Sequence, residues 1–162
     1  MNELTKKHAL PLALTALVII VLDQVSKWAM LNIVDIASRP PIEVTPFFRL
    51  VMVWNQGVSF GMLNHPTEFM PWLLVIMAVV IALVLLRLGL KSELWLERIG
   101  YGMVIGGALG NVIDRLRFRA VADFFYFHLN DLGWPAFNVA DAAICVGVII
   151  LLWMMLKHPA RP

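Results

Sequence analysis

Six polar side chains of this sequence stand in strongly apolar company: Asp23, Asn111, Asp114, Asp123, Asn138 and Asp141. Two of the stretches that carry them are nearly identical, NVID at 111–114 and NVAD at 138–141. A charged group in hydrocarbon costs about 2.5–3.5 kcal/mol on insertion scales, so intramembrane carboxylates point to function by default. Asp123 and Asp141 offer the best-defined chemistry. Asp123 lies just beyond one apolar segment and Asp141 about five residues, or roughly 7 Å, inside the next, so the two can face each other across a cleft. Two carboxylates held close together cannot both ionise cheaply, and they share a proton. The ionised member can activate water while the protonated one polarises a carbonyl and later protonates a leaving amine. Spacing alone leaves a second reading open, a small proton-coupled transporter that uses the same carboxylates as a proton or ion pathway.

The remaining polar residues read less sharply. Asn111 and Asp114 are three apart on one helical face and suit hydrogen bonds to neighbouring helices or a hold on Arg115. Asp23 stands one turn before Lys27, so an i,i+4 ion pair or a substrate-orienting role outweighs a catalytic one. His8, His65, His128 and His158 are dispersed without ligand spacing, and no metal or other cofactor is expected. A carboxylate-bound Mg²⁺ is the weaker alternative. Ser26 and Lys27 point about 100° apart on a helix, poor geometry for a Ser/Lys dyad. Cys145, one turn beyond Asp141, reads as packing and, as the single cysteine, excludes an intramolecular disulfide.

Elements of a particular kind must position these groups. At 60% hydrophobic and 15% charged residues, the chain is too apolar for a soluble domain of 162 residues, and a membrane protein is expected. A net charge of +2 with scattered basic residues leaves no nucleic-acid footprint. A bilayer core about 30 Å thick needs roughly 20 helical residues, and the stretches 10–31, 69–88, 99–116 and 136–156 qualify. No repeat or linker divides them, so one membrane domain over 1–162 is expected. After the first apolar run, LDQVSKWAM offers no small-x-small cleavage site, so the first helix reads as uncleaved.

Lys6, Lys7, Arg87, Lys91, Arg98, Lys157 and Arg161 then fall on one side, which predicts both termini inside. Trp28, Trp72 and Trp134 mark the outer interface; Trp95, Tyr101 and Trp153 mark the inner one. Because chain direction alternates, the polar residues converge on the outer third of the bilayer. The outer loop at 32–68, with a turn signal at Asn55-Gln56-Gly57, predicts a small sheet on the membrane surface. The outer loop at 117–135 mixes Arg117, Arg119, Asp123, His128 and Asp131 with aromatic residues and predicts an amphipathic short helix or irregular segment. That sheet and segment suit a cradle and a lid over the site, with movement of residues 119–133 expected to admit a substrate. Gly102, Gly106 and Gly110 form a ridge for close helix packing.

Five stretches in order carry a family resemblance: DQVSK at 23–27, NQGVSF at 55–60, GGALGNVIDR at 106–115, VADFF at 121–125 and FNVAD at 137–141. The chain resembles the lipoprotein signal peptidases, or signal peptidases II, of bacterial inner membranes. That resemblance implies a mainly helical integral membrane protein with four transmembrane helices, a small extracytoplasmic sheet and an amphipathic extracytoplasmic segment. It implies an aspartic endopeptidase that removes the signal peptide of diacylglyceryl-modified prolipoproteins, cutting before the lipidated cysteine. The motif match places the catalytic pair on Asp123 and Asp141. It places Asp23, Asn55, Asn111, Asp114, Arg115 and Asn138 around them, with Asp23 and Asn55 near substrate. The expected partners are the prolipoproteins, membrane lipid and inhibitors of the globomycin type, acting on a monomer.

Overall fold

The computed structural model describes residues 3–57, 69–129 and 132–158, with side chains from residue 9 onward. Parts of the first-loop sequence from Val58 to Glu68, and Asp131 of the second loop, lie outside the described residues. Helix α1 covers Glu3–Trp28 and continues through a π-helical turn, Ala29–Ile33. Helix α2 is Met70–Lys91, α3 is Trp95–Phe118 and α4 is Val139–Lys157. Pro11 stands inside α1, and the carbonyl of Pro11 accepts a hydrogen bond from Thr15 Oγ1 at 2.8 Å. The helices form because long apolar runs satisfy their backbone groups internally, which hydrocarbon demands of any segment it surrounds.

Three of these elements, Ala9–Ile33, Met70–Lys91 and Val139–Lys157, are long and apolar enough to cross a membrane. They present large apolar side chains outward: Leu17 is 58% exposed on α1, Ile76 61% on α2 and Ile149 64% on α4. Helix α3 differs from the sequence expectation of a fourth apolar span. It carries Glu97 and Arg98 at one end and Asp114, Arg115 and Arg117 at the other, and it is the most enclosed helix.

Small residues explain that enclosure. A Cβ added at Gly106 would sit 2.7 Å from the Ala16 carbonyl oxygen of α1, so only glycine permits this approach of α3 to α1. Gly107 faces the Ala140 backbone of α4 in the same way, and Gly102 faces Leu12 and Thr15 of α1. The expected glycine ridge therefore splits its work. Gly102 and Gly106 admit α1, while Gly110 admits the Asp23 carboxylate, 2.6 Å from where a Cβ would stand.

A four-stranded antiparallel sheet completes the fold in the order β1 (Ile42–Thr45), β2 (Phe48–Asn55), β3 (Val121–Leu129) and β4 (Leu132–Gly133). The expectation for the second loop is corrected here: VADFFYFHL is a strand, neither a helix nor an irregular segment. Its run of Val, Phe and Tyr has no helical period, and β2 supplies a partner through Val53↔Asp123, Trp54↔Ala122 and Asn55↔Val121. Phe48 and Phe127 reinforce the pairing, with ring centroids 4.8 Å apart. Strand β3 is held by β2 on one side and by β4 and Phe137 on the other.

Candidate active site

Two local structures hold the carboxylates. Asp141 is the third residue of α4, where Asn138 caps the helix. Asn138 Oδ1 accepts from the Asp141 amide at 2.9 Å, and Asp141 Oδ2 accepts from the Asn138 amide at 3.2 Å. That reciprocal box satisfies helix-end amides and fixes the rotamers of both side chains. Asp123 lies on β3, two residues from Val121, whose cross-strand partner is Asn55. Period-two alternation therefore puts Asn55 and Asp123 on one face, and Asn55 Nδ2 donates to Asp123 Oδ2 at 3.0 Å.

Asn138 joins the two structures. Its Nδ2 donates to Asp123 Oδ1 at 2.7 Å while its backbone amide donates to Asp141. Asn111 of α3 adds a third strut, donating from Nδ2 to Asp141 Oδ1 at 2.8 Å and accepting from Asn138 Nδ2 at 3.2 Å. Each carboxylate thus accepts two hydrogen bonds from groups that are themselves fixed. Asp123 is almost completely buried, at 1% exposure. Burial first, and the charge of Asp141 second, push its carboxyl up to about 7, against the lowering effect of hydrogen bonds from Asn55 and Asn138 and of the Lys27 charge. A carboxyl near 7 beside a second carboxylate can hold a proton or give it up under working conditions.

The other two acids face a different partner. Lys27 Nζ lies 2.8 Å from Asp23 Oδ2, 2.8 Å from Asp114 Oδ2 and 3.2 Å from Asn111 Oδ1, so its three donors all have acceptors. The free oxygen of Asp23 accepts from the Ala140 amide at 3.0 Å, and Asp114 Oδ2 accepts from the Ala122 amide at 3.1 Å. Those amides belong to the residues immediately before Asp141 and Asp123. Each supporting acid therefore grips the backbone beside one member of the pair, and one ammonium neutralises both grips.

The i,i+4 pair of Asp23 with Lys27 is present as the spacing suggests, but it is half of a larger arrangement. Arg115 is not held by Asp114; its Nη2 donates to the Gly57 carbonyl at 3.1 Å, tying α3 to the end of β2. Lys27 and Gln24 are the residues that sequence reasoning left out of the site. Gln24 Nε2 reaches Asp114 Oδ1 at 3.0 Å, Asp23 Oδ2 at 3.1 Å and the Gly110 carbonyl at 3.3 Å. Their signal was present in D-Q-x-x-K, where two more polar side chains share the first turn around Asp23. Among the described residues, no three His, Cys, Asp or Glu side chains group in a way that could hold a metal ion.

A helical membrane protein with a buried, hydrogen-bonded carboxylate pair at one end of its bundle has groups of the kind that cleave amides with water. The comparisons give the family. The sequence model of Signal peptidase (SPase) II matches residues 15–157. The lipoprotein signal peptidase of Methylobacterium sp. (strain 4-46) is 42% identical over 147 residues, covering 91% of this chain and 89% of that one. That of Oleidesulfovibrio alaskensis is 44% identical over 153 residues, covering 90% and 94%. A solved bacterial membrane enzyme at 2.3 Å resolution shares the fold with a TM-score of 0.77 and 27% identity, covering 91% of this chain and 88% of that one. This chain belongs to the signal peptidase II family, a family of aspartic-type peptidases. That membership decides between the two readings left open by spacing, because it supports the peptidase and gives the transporter no support.

Proposed function

We propose that this protein is an aspartic endopeptidase that removes the signal peptide from diacylglyceryl-modified prolipoproteins, cutting on the N-terminal side of the lipidated cysteine. The observation that carries the assignment of the pair is Asn138, which donates to Asp123 and to Asp141 at once and so supports their acting as a unit. One proton is shared between them. The ionised carboxylate takes a proton from water as the water oxygen bonds to the scissile carbonyl carbon, and the protonated carboxyl gives its proton to the carbonyl oxygen. The resulting tetrahedral diol collapses: the C–N bond breaks, the carboxyl that gained the water proton delivers it to the leaving amine, and the other carboxylate takes back a proton from one diol hydroxyl, which restores the pair with its single shared proton. Asn55, Asn111 and Asn138 orient the pair; Asp23 and Asp114 hold the adjoining backbone; Arg115 anchors the end of β2. Asp23 and Asn55 stand nearest the substrate in this reading.

Four helices cross the membrane in this account, with α3 as the enclosed span and both termini inside. One domain spans 1–162 and acts as a monomer in the bacterial inner membrane, with the pair on the periplasmic side. Support comes from the alternation of chain direction: Asp23 near the end of α1, Asp114 near the end of α3 and Asp141 near the start of α4 share one end of the bundle. A lipid-modified cysteine at the outer interface meets the carboxylates at that depth. Globomycin-type inhibitors are expected to occupy the same place and block the pair. Mass spectrometry of the products from a diacylglyceryl-modified prolipoprotein tests the proposal. A lipoprotein beginning at the lipidated cysteine is expected, and a cut at any other bond, or equal cutting of the unlipidated precursor, contradicts it.

A further inference from the structure

A cavity lies behind the carboxylate pair, where the end of α1, strand β2 and the end of α3 meet. It encloses about 300 Å³ and is lined by Trp28 and Asn32 at the end of α1, Trp54 of β2, and Arg117 and Phe118 at the end of α3. Trp54 pairs with Ala122, one position along from the pairing of Val53 with Asp123, so it points to the sheet face opposite Asp123. Lys27 and Asp114 are the buried part of the lining. All three Lys27 donors already have acceptors, so the cation left to meet a ligand is Arg117. Its guanidinium is exposed, lies over the Phe118 ring at 4.9 Å and has no acidic partner among the described residues.

Charge and continuity choose the occupant. Trp28 and Trp54 are aromatic residues of the kind that sit at headgroup level. From Trp28 an exposed apolar stripe runs down α1 through Val25, Val21, Val18 and Leu14, at the three- and four-residue spacing of one helix face. A ligand with a polar head and a long apolar tail uses that continuity, and a soluble anion does not. A guanidinium holds phosphate through paired N–H donors. Asn32 Nδ2 donates to the Trp28 carbonyl at 2.9 Å and keeps a second N–H for the same phosphate. Formal charges decide the rest of the head. Lys27 and Arg117 balance Asp23 and Asp114, so a net-anionic headgroup leaves a surplus negative charge there. An amine beyond the phosphate cancels it, and the faces of Trp28, Trp54 and Phe118 attract such a cation. We infer that this cavity seats the headgroup of a zwitterionic, amine-bearing membrane phospholipid, with its phosphate on Arg117 and an acyl chain along the α1 stripe.

The test uses the full chain in detergent and native mass spectrometry. Dioleoylphosphatidylethanolamine, dioleoylphosphatidylglycerol, glycerophosphoethanolamine and inorganic phosphate are added in turn. The wild type is expected to retain the ethanolamine lipid more tightly than the glycerol lipid and to retain neither tail-free probe. Arg117→Gln is expected to weaken retention of the ethanolamine lipid about tenfold, the effect of losing one charge-assisted hydrogen bond. Arg119→Gln serves as the control, because that guanidinium lies over the Trp72 ring at 5.0 Å, outside the cavity, and its loss should leave retention unchanged. Equal retention by Arg117→Gln and the wild type, or equal losses from the two variants, overturns the inference. So does retention of the glycerol lipid or of either tail-free probe at the level of the ethanolamine lipid. Photolabelling of the wild type with an ethanolamine lipid carrying a diazirine midway along one acyl chain gives a second readout that needs no variant to fold. Adducts within residues 14–25 of α1 are expected, and adducts confined to α2 or α4 overturn it.

Discussion

Lys27 and Asp114, 87 residues apart, meet with 2.8 Å between Nζ and Oδ2, and both are buried, at 3% and 1% exposure. The same ammonium is bonded to Asp23. Two acids that would repel each other in a desolvated place thereby share one cation, and each binds an amide beside one member of the Asp123/Asp141 pair. Replacing Lys27 with Met leaves two buried carboxylates without their counterion. Removal of one partner from a buried pair costs about 3–5 kcal/mol, so a large fall in melting temperature is expected along with lost turnover. The double variant Lys27→Met/Asp114→Asn should recover part of the stability, since it removes one uncompensated charge. Thermal unfolding in detergent measures both, and a Lys27→Met protein as stable as the wild type would count against this arrangement.

Asn111 and Asn138 are expected to separate in their effects. Asn138→Ala removes a donor to Asp123 and the cap of α4, so stability and turnover both fall. The cap alone is worth about 1 kcal/mol. Asn111→Ala removes the donor to Asp141 while leaving the cap in place. Loss of one hydrogen bond to a charged group costs about 1.5–3 kcal/mol, or roughly ten- to a hundredfold in rate if the bond is needed at the transition state. Steady-state kcat against melting temperature for the two variants checks the distinction.

The pH profile follows from Asp123. Its carboxyl is raised to about 7 from the ordinary 3.8, so the folded protein keeps that proton at pH values where an exposed aspartate has lost it. As pH rises through about 7 the shared proton leaves the pair, and kcat/KM should fall on the alkaline side. The hydrogen bond from Asn55 favours the ionised form, so Asn55→Ala should move the alkaline limb to higher pH. A limb that moves to lower pH, or does not move, argues against the role given to Asn55. The same shift has a stability consequence: the contribution tied to Asp123 protonation is present at low pH and is lost as pH rises through about 7.

Gly110 carries a prediction about reach. A methyl group there would meet Asp23 Oδ2 and displace the carboxylate that holds the Ala140 amide. Gly110→Ala is expected to reduce turnover at least tenfold while shifting melting temperature by only a few degrees, because the disturbance falls on a positioning contact rather than on the whole helix interface. Gly106→Ala, set against the Ala16 backbone, should instead act mainly through stability.

The sequence made the helices and the polar residues legible for different reasons. Apolar runs of about 20 residues announce α1, α2 and α4 by length alone, and carboxylates inside or beside such runs are too costly to be incidental. Helix α3 was read at 99–116 as a fourth apolar span, where the structure has three such helices among its described residues, while Gly102, Gly106 and Gly110 did mark its close packing. Strand β3 was misread because VADFFYFHL is a short apolar run interrupted by Asp123 and His128, which periodicity cannot assign, and its partner β2 lies some 70 residues earlier in the chain. The reach of Lys27 to Asp114 was hidden for a related reason. Sequence shows the neighbour four residues away and not the one on another helix.

Cleavage of a diacylglyceryl-modified prolipoprotein by purified protein, with Asp123→Asn and Asp141→Asn compared with the wild type, tests the central claim most directly. Both substitutions keep side-chain shape and remove the ionisable group. The shared-proton account predicts that both variants remain folded and lose nearly all cleavage. Substantial turnover by either variant would contradict it.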